Sequence, residues 1–301
     1  MPDVHWGIIG FGEAGANFCR HLNNRGSGPI FITDPLLNQA PAPDHIRRRL
    51  DGLVVEKVPD IPTLVARCDV VLSLVTPGAA SAVAANAATS GPHGLFIDFN
   101  SASPTVKRKL EKLFPEDRYV DGSILGSVST DVSGTALALA GRRAEQAQAR
   151  LHAVDLKAEV VGPDVGAASA LKICRSIFMK GIECLFIETL LATEEFKITD
   201  YVVRSIQQTL DASSVEQLIA MLVTTHSVHC HRRSQEMEGA ASMLKKMEIP
   251  NRMCRAARDV LKASYEAGLS DHFAGSPPGD PREVIGYLRT VYGKHYEAAG
   301  E

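Results

Sequence analysis

The strongest constraint on this chain is a glycine-rich turn set between a buried strand and a helix, close to the N-terminus. Val4 to Ile9 is short, mostly apolar and rich in β-branched side chains, the pattern of a buried strand. Gly10, Gly12 and Gly15 follow as G-x-G-x-x-G within Gly10-Phe11-Gly12-Glu13-Ala14-Gly15. The first glycine permits a tight turn, the second lets a pyrophosphate approach the backbone, and the third lets helix and strand pack closely. Ala14, Phe18 and Leu22 then share one helical face. A helix beginning there presents free N–H groups and the positive end of its dipole to an anion. Glycine-rich turns are common; this one is informative because a strand precedes it, a helix follows it and an acidic residue lies downstream.

That residue is Asp34, which closes a second apolar run, Ile30-Phe31-Ile32-Thr33. A carboxylate there accepts from both ribose hydroxyls of an adenosine and repels a 2′-phosphate, and Pro35-Leu36-Leu37 offers no arginine to receive one. The pattern favours NAD and leaves NADP open. Read without its context, Asp34 is simply a turn residue ahead of a proline.

From residue 4 to about 162 strands alternate with helices. Leu53-Val54-Val55 reads as a short strand, Ile61–Cys68 as a short helix and Asp69–Leu74 as a buried strand leading into Val75-Thr76-Pro77-Gly78. Ala79–Ala88 is nearly all alanine and predicts a closely packed helix. Leu95–Asp98 is a strand ending in Phe99-Asn100-Ser101, and Tyr119-Val120-Asp121-Gly122 runs into Ser123-Ile124-Leu125-Gly126-Ser127. Ala136–Ala140 and Glu159–Val161 complete the sheet. The alternation predicts an α/β fold of Rossmann type, doubly wound on a mostly parallel sheet. Ligands of such sheets sit outside the carboxyl ends of the strands, where Gly10–Gly15, Asp34, Thr76-Pro77 and Asn100-Ser101 all fall.

Gly162-Pro163-Asp164 punctuates the chain and divides it into a dinucleotide-binding domain, 1–163, and an all-helical domain, 164–301. Val165–Glu195 reads as one long helix, apolar on most sides, which must be covered by neighbours or by a second subunit. Lys172, Ser176, Lys180 and Glu183 form a narrow polar stripe along it, facing either solvent or a cleft between the domains. Ser214–Met247 gives a second long helix carrying His226, His229 and His231. No carboxylate or paired cysteine completes a tetrahedral metal set there, and with Arg232 and Arg233 the histidines either meet a substrate anion or coat a surface.

The 301 residues suffice for two domains. A net charge of −3 suggests neither nucleic-acid nor anionic-membrane partners, and no apolar run is long enough to cross a bilayer. Met1-Pro2-Asp3 lacks the basic start of a secretory leader. Six scattered cysteines fit reduced thiols in a cytoplasmic protein better than disulfides.

Four motifs in order resemble the β-hydroxyacid dehydrogenase family, which includes 6-phosphogluconate and 3-hydroxyisobutyrate dehydrogenases. They are the glycine turn with its strand, Asp98-Phe99-Asn100-Ser101-Ala102-Ser103-Pro104, Asp121-Gly122-Ser123-Ile124-Leu125-Gly126-Ser127, and Gly166-Ala167-Ala168-Ser169-Ala170-Leu171-Lys172. The resemblance implies NAD(P)-dependent oxidation of a β-hydroxy acid or 3-hydroxy amino acid bearing a carboxylate. Lys172 falls on the catalytic lysine, Asn100-Ser101 on the loop beside the nicotinamide, and Ser123, Gly126, Ser127 and Ser176 on substrate-binding positions. The chain departs from the pattern where the family's substrate-binding serine falls on Leu125, its second glycine on Ser127 and its post-lysine asparagine on Ser176. The branch is therefore divergent, and Leu125 implies a less polar substrate. An imine reductase shares the architecture but usually lacks the lysine; a non-catalytic nucleotide sensor is the other alternative. The apolar Val165–Glu195 helix implies a homodimer through the C-terminal helices.

Overall fold

Runs of two to six residues, too short for helices, pair into one eight-stranded sheet among the described residues. The computed structural model describes residues 4–91, 93–128 and 132–298; Met1-Pro2-Asp3, on which the reading of a missing leader rests, lies outside the described residues. In chain order the elements are β1 (Trp6–Ile9), α1 (Glu13–Asn24), β2 (Ile30–Thr33), α2 (Asp44–Leu50), β3 (Glu56–Lys57), α3 (Ile61–Val65), β4 (Val70–Ser73), α4 (Pro77–Thr89), β5 (Leu95–Asp98), α5 (Pro104–Glu111), β6 (Tyr119–Ile124), β7 (Leu137–Ala140), α6 (Ala144–His152) and β8 (Ala158–Gly162). The strand order is β3-β2-β1-β4-β5-β6-β7-β8, parallel throughout except for the antiparallel β6–β7 pair.

The Rossmann-type fold follows from burial. β1, β2, β4 and β5 are buried along their whole length, so both sheet faces need helical cover. One core packs Trp6, Ile8, Phe18, Leu22, Ile32 and Leu151 beneath α1 and α6; the other packs Ile9, Phe31, Leu64, Ala84, Phe96 and Leu110 beneath α3, α4 and α5. The alanine run in α4 puts Ala80, Ala84 and Ala87 at the sheet, where small side chains allow close approach. Cys19 and Cys68 lie in these cores with thiols pushed up to about 12 by burial, so they pack as small apolar groups.

The strand expected at Leu53–Val55 is displaced. Val54 is 83% exposed, and the pairing with β2 is made by Glu56 and Lys57. β3 is an edge strand, where charged residues suit solvent and backbone pairing decides position more than apolar content does.

The helices that follow are α7 (Ala167–Glu195), α8 (Thr199–Asp211), α9 (Val215–Lys246), α10 (Arg252–Glu266), α11 (Leu269–His272) and α12 (Pro281–Ala298). Two compact units divide the chain, Met1–Ile177 and Phe178–Glu301, so α7 starts in the first and continues into the second. In the second unit α10, α11 and α12 pack along α9. Ser214 caps α9 reciprocally with Gln217, fixing where the helix begins. α8 occupies a stretch for which no element was expected, although Val203, Ile206 and Leu210 recur there at helical spacing. The Val165–Glu195 helix is present, but its apolar residues are not covered within the chain: Ile177 is 70% and Phe178 54% exposed. The six cysteines are free, with Cys174 and Cys184 exposed rather than buried. No helix is long and apolar enough to cross a membrane among the described residues.

Candidate active site

The turn after β1 is built so that only glycine serves at two of its positions. Gly10 has φ +93°, and a Cβ there would stand 2.4 Å from the Leu74 carbonyl oxygen. A Cβ on Gly15 would lie 2.0 Å from the Gly10 carbonyl oxygen, so helix and strand touch through bare backbone. Gly12 is the opposite case: it is exposed, and a Cβ built on it meets nothing within 4 Å. Gly12 is also the N-cap of α1 and supplies no side-chain cap to the first-turn amides. Glu13 is exposed beside it and Ala14 half-buried. Phe11 is buried, and its N–H donates to Asp34 Oδ2 at 2.8 Å. Asp34 Oδ1 accepts the Leu36 N–H, also at 2.8 Å, so two amides hold this half-buried carboxylate in place. The cradle is closed where packing demands it and open where a pyrophosphate must approach, and it fits a dinucleotide.

Ser73, Asp98 and Asp121 are register neighbours at the carboxyl ends of β4, β5 and β6. Asn100 ties two of those ends together. Its Nδ2 donates to Ser73 Oγ at 2.8 Å, its Oδ1 accepts the Val75 N–H at 2.6 Å, and its own N–H donates to Asp98 Oδ1 at 2.9 Å. The side chain is buried, which leaves Ser101, Thr76 and Pro77 as the exposed residues of this edge. Thr76 and Pro77 open α4 as N-cap and first helical residue, a position suited to proline's fixed φ.

Lys172 reaches this edge from α7. Its Nζ donates to Ser101 Oγ at 3.1 Å, bringing together two residues 71 apart in sequence. Lys172 and Ser176, one turn further on, are half-buried. Ser123 is buried within β6 opposite Ala138, away from the exposed turn formed by Gly126 and Ser127. That turn is held by Thr135 Oγ1, which donates to the Ser127 carbonyl at 2.8 Å. Leu125 packs with Ala138, Ala140, Ala168 and Leu171, so an apolar cluster lies beside the residue preceding Lys172.

Sequence reasoning missed a buried ionic group beneath this edge: Asp98, Lys107 and Asp121 are fully buried, with Tyr119 and Ser169 bonded to them. The signal was a lysine at an apolar-face position of α5, three residues before Leu110 and seven before Phe114. Burial, reinforced by the Asp98 carboxylate, pushes the Tyr119 hydroxyl far above its ordinary range and keeps it a donor.

The histidine and arginine group of α9 lies in the second unit and is engaged locally. His231 stacks on Tyr265 with centroids 4.2 Å apart, Arg232 pairs with Glu236, and Arg233 donates to Thr225 Oγ1 at 2.8 Å. Burial, and then the Arg233 charge, lowers the pKa of His226. Among the described residues no group of three or more His, Cys, Asp or Glu is placed to hold a metal ion.

The sheet, its glycine turn and the helical second unit define a class: Rossmann-type proteins with an all-α C-terminal partner unit. Residues 194–264 match a family model described as a domain of unknown function, DUF1932. A conserved hypothetical protein from Sinorhizobium meliloti is 30% identical, the match covering 96% of this chain and 97% of that one at a TM-score of 0.60. MTH1747, a conserved protein described as structurally similar to 3-hydroxyacid dehydrogenases, is 28% identical over 89% of this chain and 99% of its own, with a TM-score of 0.61. An imine reductase variant from Myxococcus stipitatus, in complex with NAD⁺, shares the fold at 16% identity, covering 94% and 99% with a TM-score of 0.73. The chain belongs to the β-hydroxyacid dehydrogenase family of NAD(P)-dependent oxidoreductases, in a divergent branch.

Proposed function

We propose that this protein moves hydride between a nicotinamide dinucleotide, NAD in preference to NADP, and a β-hydroxy acid, with Lys172 as general acid and base. The observation that carries this reading is the 3.1 Å hydrogen bond from Lys172 Nζ to Ser101 Oγ, which holds an amine at the ligand-binding edge of the sheet. The bound cofactor supplies the hydride acceptor or donor at its nicotinamide ring. Gly12 and the first-turn amides of Glu13, Ala14 and Gly15 receive the pyrophosphate, with Gly10 and Phe11 shaping the turn, and Asp34 receives the ribose. Thr76, Pro77 and Ser101 border the nicotinamide, and Asn100 holds that border in shape. Lys172 takes the hydroxyl proton in oxidation and returns it in reduction, oriented by Ser101, which accepts one of its N–H groups. The exposed turn at Gly126 and Ser127, with Ser176 across from it on α7, receives the substrate carboxylate, while Ser123 acts from beneath. The Leu125 cluster favours a substrate with an apolar portion.

Replacing Lys172 by Ala is expected to lower turnover roughly 10²–10⁴-fold while NAD⁺ binding, followed by nucleotide fluorescence, is kept. Wild-type turnover in that variant removes Lys172 from the chemistry. A second reading, reduction of a C=N bond, is supported by the fold shared with the imine reductase. A panel of β-hydroxy acids, 3-hydroxy amino acids and cyclic imines separates the two, and binding without turnover on any of them marks a nucleotide sensor.

The helical unit supports a homodimer. Phe178, Leu185, Phe186, Ile187 and Leu191 of α7, Tyr201 and Leu210 of α8, and Ile219 and Leu222 of α9 are exposed in the single chain. A contiguous run of large apolar side chains of this kind is what subunit interfaces cover.

A further inference from the structure

The chemistry proposed above makes no use of the ions buried beneath it, so what their bonds connect is informative. Lys107 Nζ donates to the Asp98 carbonyl at 2.5 Å and lies 3.2 Å from Asp98 Oδ1 and 3.4 Å from Asp121 Oδ1. From there the two carboxylates lead to different segments. Asp98 Oδ1 accepts the N–H of Asn100, the neighbour of Ser101. Asp121 Oδ2 accepts the N–H groups of Gly166 and Ser169 at 3.0 Å and the Ser169 hydroxyl at 2.9 Å, where α7 begins. Ser169 stands three residues before Lys172, one helical turn. Both partners of the Ser101–Lys172 hydrogen bond thus hang from one ammonium group.

Stability alone does not explain such a group. Well-packed apolar residues often replace a buried ion pair at no loss, because desolvation offsets most of the Coulombic gain. What ions add is direction. Asp121 Oδ1 makes no hydrogen bond among the described residues, so the Lys107 ammonium is what offsets its charge. The remaining carboxylate charge faces the amides and positive dipole end of α7.

We propose that Lys107 is a positioning residue: buried between Asp98 and Asp121, it locks the Asn100-Ser101 loop to the first turn of α7 and so sets where the Lys172 amine stands. The inference rests on Lys172 being the proton-transfer group. Lys107 touches neither substrate nor cofactor and acts through Ser101 and Lys172.

The test is the double variant Lys107→Met/Asp121→Asn. It removes one cation and one anion, leaving the buried net charge unchanged, and keeps an acceptor for the Gly166 and Ser169 amides. In the folded variant, checked by cooperative thermal unfolding, NAD⁺ affinity is expected to stay within about twofold while kcat falls roughly tenfold to a hundredfold with KM little changed, the pattern of a displaced catalytic group. A second readout needs no turnover. In ¹³C-dimethyl-lysine NMR spectra the Lys172 resonance, assigned by its loss in Lys172→Arg, is expected to shift and to titrate at a different pH from the wild type. A folded double variant with wild-type kcat and an unmoved Lys172 resonance overturns the proposal. If the double variant does not fold, Ser169→Ala, which deletes one bond to Asp121 and no charge, is read in the same way with the same overturning result. Full activity in Lys172→Ala refutes the dehydrogenase reading instead, while the resonance still reports on the strut.

Discussion

Single residues at the glycine turn carry sharp expectations. Gly15→Ala places a methyl 2.0 Å from the Gly10 carbonyl oxygen, and backbone cannot yield as a flexible side chain does. It is expected to destabilise the first unit by roughly 1–3 kcal/mol and to weaken NAD⁺ binding, as read by thermal unfolding and titration. Asp34 holds two amides as well as its place beside the ribose. In Asp34→Asn one of those amides faces an NH₂ donor instead of an oxygen, an unmatched pairing worth about 1–3 kcal/mol. The same change removes the charge that repels a 2′-phosphate, so the ratio of NAD⁺ to NADP⁺ affinity is expected to fall. An unchanged ratio in paired titrations removes Asp34 from cofactor selection. These residues were legible in the sequence because their chemistry is local: the spacing of three glycines and one carboxylate fixes backbone geometry over a few neighbours.

At the scale of elements, α10 depends on a side chain from another helix. Glu188 of α7 accepts the N–H groups of Met253 and Cys254 at 2.9 and 2.8 Å, capping α10 in place of its own N-cap residue. Burial alone would raise the Glu188 carboxyl, but the backbone hydrogen bonds outweigh it and hold the pKa below its ordinary value of 4.5. A carboxylate depressed in the folded state stabilises fully above its unfolded value, and that contribution disappears as pH falls below 4.5 and through the lowered folded value. Glu188→Ala is expected to cost the second unit about 0.5–2 kcal/mol near neutral pH, and the gap to wild type should narrow in acid unfolding below about pH 4.5. A gap constant with pH contradicts the cap. Neither this contact nor the Lys107 strut was visible in the sequence, because each joins residues that only packing brings together. The strands were visible where burial on both faces makes the run apolar, as in β1, β4 and β5. β3 was misplaced because an edge strand is selected by backbone pairing, and its residues, Glu56 and Lys57, are charged.

For the whole molecule, the uncovered apolar surface of α7, α8 and α9 sets the expectation. Sedimentation or light scattering should give a dimer. Phe186→Asp, on an exposed face of α7, should shift the protein toward monomer without unfolding the first unit. A monomeric wild-type protein at micromolar concentration removes the homodimer. Periodicity and motif order alone determined the Rossmann-type sheet, the helical half, the cofactor turn and Lys172 as the residue to watch, because alternating burial and glycine stereochemistry are written in neighbouring residues. Only the tertiary structure decided that Lys172 bonds to Ser101, that Asn100 is consumed in holding its loop, that Ser123 lies buried and that an ammonium group sits beneath them all. Those are contacts across dozens of residues, and their geometry is set by the sheet register and by helix packing, which no local pattern encodes.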